Sequence, residues 1–249
     1  MKLYVSLPSY TDVVETATVR CLMNCLSRAL VEGLIDDYYV NFQGEALIHR
    51  CRNRHANHAL KLQIYDRFLS IDSDIIFTWN DFKRLVGSSE PFIGGSYPLK
   101  AMPPVVNFNP MSGAGRELLK TNRGYDYDAF EKFKEKYVDE TGLVEVTHLP
   151  TGFLCVSMEV FAKLSHTVKV YGTFAQESGQ REGQYDFYPS AVHEGELESE
   201  DWGFCRLAKE AGYKIMFDTN VICGHIGKHV YRLGQVYGEI NAPKSQDYS

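Results

Sequence analysis

The residues best suited to chemistry in this chain are Asp72-Ser73-Asp74, two carboxylates one residue apart between apolar runs at 68–71 and 75–77. Residues 68–71 are short, apolar and partly β-branched, which reads as a buried strand. Carboxylates at the end of such a strand are costly to bury unless they pair or bind a cation. A hard divalent ion suits them, because Mg²⁺ and Mn²⁺ prefer oxygen ligands. The competing reading is an aspartate that ends the strand and caps the next helix. Three other groups could join the first: Arg52-Asn53, Glu200-Asp201 and Gly224-His225-Ile226-Gly227. A guanidinium can grip paired phosphate oxygens. Carboxylates serve as general bases or cap a helix, and an imidazole can join carboxylates around a transition metal. A histidine satisfied by backbone at a strand end is the plainer reading of His225.

The elements that must position these groups follow from periodicity. Residues 2–7 read as a strand that stops at Pro8-Ser9-Tyr10. Asp12 and Glu15 resemble a capping box ahead of a helix ended by Gly33. Its apolar stripe is Val14, Ala17, Cys21, Leu22, Cys25, Leu26 and Ala29. A strand at 38–42 and a helix over 46–62 precede the Asp72 strand, with Arg50 and Arg54 on the solvated face of that helix. This β-α-β-α-β order predicts a mostly parallel sheet with right-handed crossovers, whose ligands lie beyond the carboxyl ends of the strands. A short helix from Asn80 to Val86 and a strand at 91–97 come next. The glycines Gly94 and Gly95 in that strand suggest close approach of backbone to something else. Residues 101–124 read as irregular, with a mobile loop at 111–115. A charged helix at 127–137, strands at 143–147 and 153–158, and a short helix at 160–164 come after it. Residues 172–199 are polar and patternless, as in a lid or acceptor-binding segment. A helix at 202–211, a strand at 215–217 and a polar tail complete the chain.

At 249 residues the chain has room for one large α/β domain or two small ones, and no linker or repeat divides it. A net charge of −6 argues against a surface that tracks nucleic acid throughout. The cysteines Cys21, Cys25, Cys51, Cys155, Cys205 and Cys223 form no C-x-x-C pair, so buried free thiols are expected rather than a zinc site. No signal peptide and no bilayer-spanning stretch are read, which points to a reducing, cytoplasmic setting.

In this order the landmarks resemble the nucleotide-sugar glycosyltransferases of the GT-A fold, over nearly the whole chain. The opening strand with Pro8-Ser9-Tyr10, the run Gly95-Ser96-Tyr97-Pro98, Thr151-Gly152-Phe153, and Ser199-Glu200-Asp201-Trp202-Gly203-Phe204-Cys205 belong to the same resemblance. It implies an α/β, Rossmann-like GT-A domain over residues 1–249, with a mostly parallel central sheet and a small antiparallel addition. Residues 1–100 would form the nucleotide-binding half and 101–249 the donor-sugar and acceptor half.

The resemblance also implies roles. Asp74 and His225 would hold Mn²⁺ or Mg²⁺, with Asp72 on the ribose or a metal-bound water. Ser73 would lie against the nucleotide and Arg52 would face the diphosphate or base. Pro8, Ser9 and Tyr10 would border the base, although Tyr10 fits ordinary packing equally well. Thr151 and Gly152 would wall the donor sugar, or be a plain turn. Asp201 would be the base of an inverting transfer and Glu200 would bind acceptor or donor sugar, with reversed roles as the alternative. Trp202 could stack on a sugar face, but its place at a helix start favours the core. The acceptor could be a glycan, a lipid-linked sugar, a protein or modified DNA, the last disfavoured by charge. The segment 102–145 matches no acceptor domain. The rival readings are a metal-dependent nucleotidyl- or phosphotransferase, which lacks a G-x-x-x-x-G-K loop here, and a non-catalytic nucleotide-sugar-binding protein of the same fold.

Overall fold

The computed structural model describes residues 1–10, 12–106, 108–111, 125–174 and 181–234. The chain begins β1 (Lys2–Ser6), α1 (Thr16–Val31), β2 (Asp37–Asn41), α2 (Ile48–Leu62) and β3 (Arg67–Ile71). It continues through β4 (Ile75–Ile76), α3 (Trp79–Val86), β5 (Phe92–Ser96), β6 (Asn109–Pro110), α4 (Tyr127–Tyr137), β7 (Leu143–His148), β8 (Phe153–Ser157) and α5 (Met158–Leu164). Then come β9 (Val170–Phe174), β10 (Arg181–Tyr185), β11 (Ala191–His193), β12 (Glu196–Glu198), α6 (Glu200–Glu210), β13 (Ile215–Ile222), β14 (Gly224–Ile226) and β15 (Val230–Tyr231).

The central sheet has eight strands in the order β2-β1-β3-β8-β5-β13-β7-β6. β1 is parallel to β2 and β3, and β5 is parallel to β13. β8 runs against β3 and β5, and β7 runs against β13 and β6. The sheet is therefore mixed, with β7 and β8 reversed against strands that otherwise share one direction. Smaller antiparallel sheets pair β9 with β10, β11 with β12, and β4, β14 and β15 together.

Side-chain alternation in the strands builds a core on each face. Leu3, Val5, Leu69 and Ile71 pack with Cys21, Leu22, Cys25 and Leu26 of α1 and with Phe82 and Leu85 of α3. Tyr4 and Phe68 point the other way, into a core that also holds Ala56 and Ala59 of α2, Phe130 and Phe133 of α4, Phe161 of α5 and Phe204 of α6. β3 is buried along its whole length, so its carboxyl end delivers Asp72 to a rigid sheet edge.

Two local expectations are revised. The Asp12–Glu15 capping box does not form: α1 starts at Thr16, Glu15 makes no side-chain cap, and Asp12 accepts a 2.9 Å hydrogen bond from Gly44 N instead. The capping box is found at α3, where Thr78 and Asp81 satisfy each other's backbone. Residues 172–199 are not patternless, since most of their described part forms the hairpins β9–β10 and β11–β12, and Phe187 and Tyr188 are fully buried. The expected loop at 111–115 lies outside the described residues beyond Met111. The close approach at Gly94 and Gly95 is to neighbouring strands: a Cβ on Gly94 would press on Leu154 and Leu149, and one on Gly95 on Val221. All six cysteines are buried free thiols, and among the described residues no helix is long and apolar enough to cross a membrane.

Candidate active site

Arg52 is the hub of one half of the site. Its guanidinium is almost wholly buried, and its two terminal nitrogens serve different carboxylates: Nη2 donates to Asp72 Oδ1 at 2.6 Å and Nη1 donates to Glu200 Oε1. Burial alone would favour loss of its proton; Asp72 and then Glu200 outweigh that and raise its pKa. α2 presents Arg52 inward, while Arg50 and Arg54 both pair with Glu45; of these two, expected on a solvated face, Arg50 is 43% exposed and Arg54 only 19%. The other oxygen of Asp72 accepts from the Tyr97 hydroxyl at 3.3 Å, and that hydroxyl accepts from Gly152 N at 3.2 Å. Asp72 N in turn donates to Gly152 O at 2.9 Å. Burial, with Asp72 and Asp201 nearby, pushes the Tyr97 phenol well above its ordinary range, against the pull of Arg52. A Cβ on Gly152 would strike both the Asp72 carboxylate and the Tyr97 hydroxyl, so glycine is what this approach requires.

The second half forms around Asp74. β14 pairs antiparallel with β4, with His225 opposite Ile75 and Gly224 opposite Ile76. Ile226 N also donates to Asp74 O at 2.8 Å. This register sets His225 Nε2 3.4 Å from Asp74 Oδ1. His225 Nδ1 donates to Pro98 O at 2.8 Å, which orients the ring with Nε2 toward the carboxylate. The Tyr97 ring packs edge-on against the imidazole, 5.0 Å between centroids. Lys100 Nζ pairs with the remaining oxygen, Asp74 Oδ2. Burial raises the Asp74 pKa, and the hydrogen bonds and charges of His225 and Lys100 more than reverse this, so the net shift is downward.

These groups fit a divalent ion with two protein ligands. Octahedral coordination at about 2.1 Å puts adjacent donors about 3 Å apart, close to the separation of Asp74 Oδ1 and His225 Nε2. Asp72 is turned toward Arg52 and Tyr97, so a first-sphere role beside Asp74 is not built into this arrangement. Among the described residues no cluster of three or more His, Cys, Asp or Glu is placed around one ion position. A bound ion would complete its sphere with ligands from substrate and water.

The remaining sequence candidates border the same edge. β1 runs into Pro8 and Ser9; Ser9 O accepts from Glu45 N at 3.2 Å, and Tyr10 is 68% exposed rather than packed. Ser73 O accepts from Glu15 N at 2.9 Å, which ties the Asp72–Asp74 turn to the start of α1. Ser9 Oγ, Arg52 Nε, Ser70 Oγ, Thr151 Oγ1 and Tyr188 OH are buried without a hydrogen-bond partner among the described residues. Thr18 Oγ1, Tyr137 OH and Gln184 Oε1 are buried without such a partner as well, so orphaned groups are not confined to these candidates. At the start of α6, Asp201 Oδ1 accepts from Ser199 Oγ and, at 2.9 Å, from Trp202 N. Trp202 is 40% exposed, and its ring stacks on His148 at 4.5 Å and 16°, so it is not a core residue.

Sequence reasoning assigned no role to Tyr97, Lys100 or Tyr188. Only Tyr97 carried a signal, as part of Gly95-Ser96-Tyr97-Pro98. Asn53 was noticed beside Arg52; its amide donates to Asp186 Oδ1 and its Oδ1 accepts from Tyr188 N, both at 2.9 Å, strapping that segment to α2.

No protein-family model matches the chain, and no curated protein matches it significantly in sequence. Solved structures do match. The crystal structure of A197 from STIV aligns over 96% of this chain and 97% of its own, at 13% identity and a TM-score of 0.51. GalNAc-T7 with UDP, GalNAc and Mn²⁺ aligns over 94% of this chain and 44% of its own, at 12% identity and a TM-score of 0.44. Glucosyl-3-phosphoglycerate synthase from Mycobacterium tuberculosis, with Mn²⁺ and UDP-glucose, aligns over 66% of this chain and 58% of its own, at 17% identity and a TM-score of 0.32. At these identities the likeness is one of fold, and the fold is of the GT-A type.

Proposed function

We propose that this GT-A scaffold carries a metal-dependent glycosyltransferase that moves a sugar from a nucleotide diphosphate donor to an acceptor hydroxyl. The observation that carries the reading is the meeting of Asp74 and His225, from distant parts of the sequence, with the imidazole oriented by Pro98 O. Asp74 and His225 would hold Mn²⁺ or Mg²⁺, and the ion would supply positive charge against the departing diphosphate.

The rest of the chemistry belongs to the chain's own side chains. Pro8, Ser9 and Tyr10 border the base, and the buried Ser9 hydroxyl has no hydrogen-bond partner among the described residues. Asp72, oriented by Arg52 and Tyr97, accepts from a ribose hydroxyl or an ordered water, with Ser73 beside it. Arg52 presents its fixed charge to the diphosphate or the base. Thr151 and Gly152 form the donor-sugar wall. Residues 1–100 thus take the nucleotide, while 101–249 take the transferred sugar and the acceptor.

Glu200 is committed to Arg52, which suits positioning. Asp201 accepts only from its own helix start in the described contacts, and it is the better base. It would take the proton of the acceptor hydroxyl as that oxygen attacks the anomeric carbon and the diphosphate leaves, with inversion at that carbon. The acceptor side falls next to Trp202.

A donor-hydrolysis screen over UDP-, GDP- and dTDP-sugars, with EDTA controls, tests this. Metal-dependent cleavage that is lost in Asp74→Ala and His225→Ala is expected. Cleavage indifferent to EDTA and to both substitutions would refute the metal role, and nucleotide-sugar binding with no turnover in any acceptor panel would favour a non-catalytic binding protein.

A further inference from the structure

Lys100 lies between β5 and β6, and its ammonium takes the Asp74 oxygen that His225 does not. One carboxylate is therefore matched at both oxygens by nitrogens from separate segments. The placement is built. The backbone around Lys100 is tied by Leu99 N donating to Val105 O at 2.9 Å and Ala101 N donating to Leu99 O at 2.7 Å. The Lys100 stem runs over Gly227, where an added Cβ would lie 3.2 Å from Lys100 Cδ. A side chain at residue 227 would crowd that path.

An ammonium and a divalent ion cannot share Asp74 without strong mutual repulsion at such short range. We infer that Lys100 is the resident counter-ion of this site: it neutralises Asp74 when no divalent ion is bound, and an incoming ion must displace it. The inference rests on the reading of Asp74 and His225 as ligands. It makes Lys100 a positioning residue that holds the carboxylate in place and weakens capture of a bare ion. An ion arriving with a diphosphate is penalised less, because the displaced ammonium gains phosphate oxygens as new partners. The pair stands at the mouth of the site, with Lys100 41% exposed, so its removal leaves the core untouched.

The test is Mn²⁺ binding to nucleotide-free protein, read by the electron paramagnetic resonance of free Mn²⁺. Lys100→Met should bind Mn²⁺ roughly tenfold more tightly than wild type, from loss of the competing pair and of cation–cation repulsion. Lys100→Arg should stay near wild type, and Asp74→Ala should remove the site in either background. Inorganic diphosphate, with its own Mn²⁺ complexation subtracted, should narrow the gap between wild type and Lys100→Met. Equal or weaker binding by Lys100→Met, with binding still lost in Asp74→Ala, overturns the counter-ion role alone. So does a gap that diphosphate leaves unchanged. Mn²⁺ binding that Asp74→Ala fails to alter in both backgrounds overturns the ligand reading and the inference together.

Discussion

Replacing Arg52 by methionine keeps much of the apolar stem and removes the charge that joins Asp72 to Glu200. In the wild type the guanidinium side chain is 5% exposed, and its carboxylate partners are 23% and 19% exposed. Without it, two carboxylates share a poorly hydrated space with no cation between them. Removing one partner of a buried ion pair costs about 3–5 kcal/mol. For a chain of this size that corresponds to a fall in melting temperature of roughly 6–20 °C. Arg52→Lys keeps the charge but cannot reach both carboxylates with a planar fork, so an intermediate loss is expected. The assay is urea and thermal unfolding followed by circular dichroism, at fixed ionic strength. The control is Arg52→Met combined with Asp72→Asn and Glu200→Gln. If unpaired charge causes the loss, neutralising the carboxylates should restore at least about half of it. An Arg52→Met variant melting within about 2 °C of wild type would refute the hub, since a pair of this burial cannot be lost so cheaply. A full loss that the neutral carboxamides leave untouched would assign the effect to packing instead.

His55 is fully buried among Ser6, Cys51 and Gln43 O, and burial lowers its pKa to about 4 despite the hydrogen bond to Gln43 O. Its neutral form is favoured by folding, so this stabilisation is complete above the unfolded pKa near 6.5 and is lost as pH falls toward 4. Urea unfolding should lose about 2 kcal/mol between pH 8 and pH 5 from this group, and His55→Gln should flatten that acid limb; an unchanged limb would remove His55 as its cause. Gly152→Ala should shift Asp72 and Tyr97, costing about 1–3 kcal/mol of stability and weakening nucleotide-sugar binding in calorimetry, whereas wild-type affinity would mean that this contact relaxes freely. Burial pushes Cys25 and Cys205 up to about 12 and Cys51 up to about 11. Native protein at pH 8 should therefore react slowly with a thiol-specific disulfide reagent and release all six thiols only in denaturant; a fast native phase would contradict the burial.

Most of the sheet was legible because its strands are short apolar runs whose flanking residues leave few alternatives. β1, β3, β5 and β8 announce themselves in this way, and α4 lies at the expected residues. The hairpins β9–β10 and β11–β12 were not, because these short ribbons mix polar and apolar residues that stay half-buried or exposed, so their pattern marks no core face. Val192 and Leu197 sit opposite each other in β11–β12 and are both exposed, so even the apolar residues there mark no core. The position of Asp12 was misread for a similar reason: an aspartate before a helix caps it only if the chain enters in an extended conformation, and Asp12 has φ +54°.

By itself the sequence determined that a carboxylate pair ends a buried strand, that arginines cluster near the start of the preceding helix, and that a histidine stands between glycines late in the chain. Those are local properties, set by burial and by periods of two and 3.6 residues. The tertiary structure alone decided which of these groups meet. The pairing of β14 with β4 brings His225 to Asp74, the burial of Arg52 turns Asp72 away from that centre and joins it to Glu200, and the return from β5 lays Lys100 on the oxygen left over. Contacts between distant segments depend on strand register and on which charges remain once others are paired. Neither is written in any single stretch of the chain.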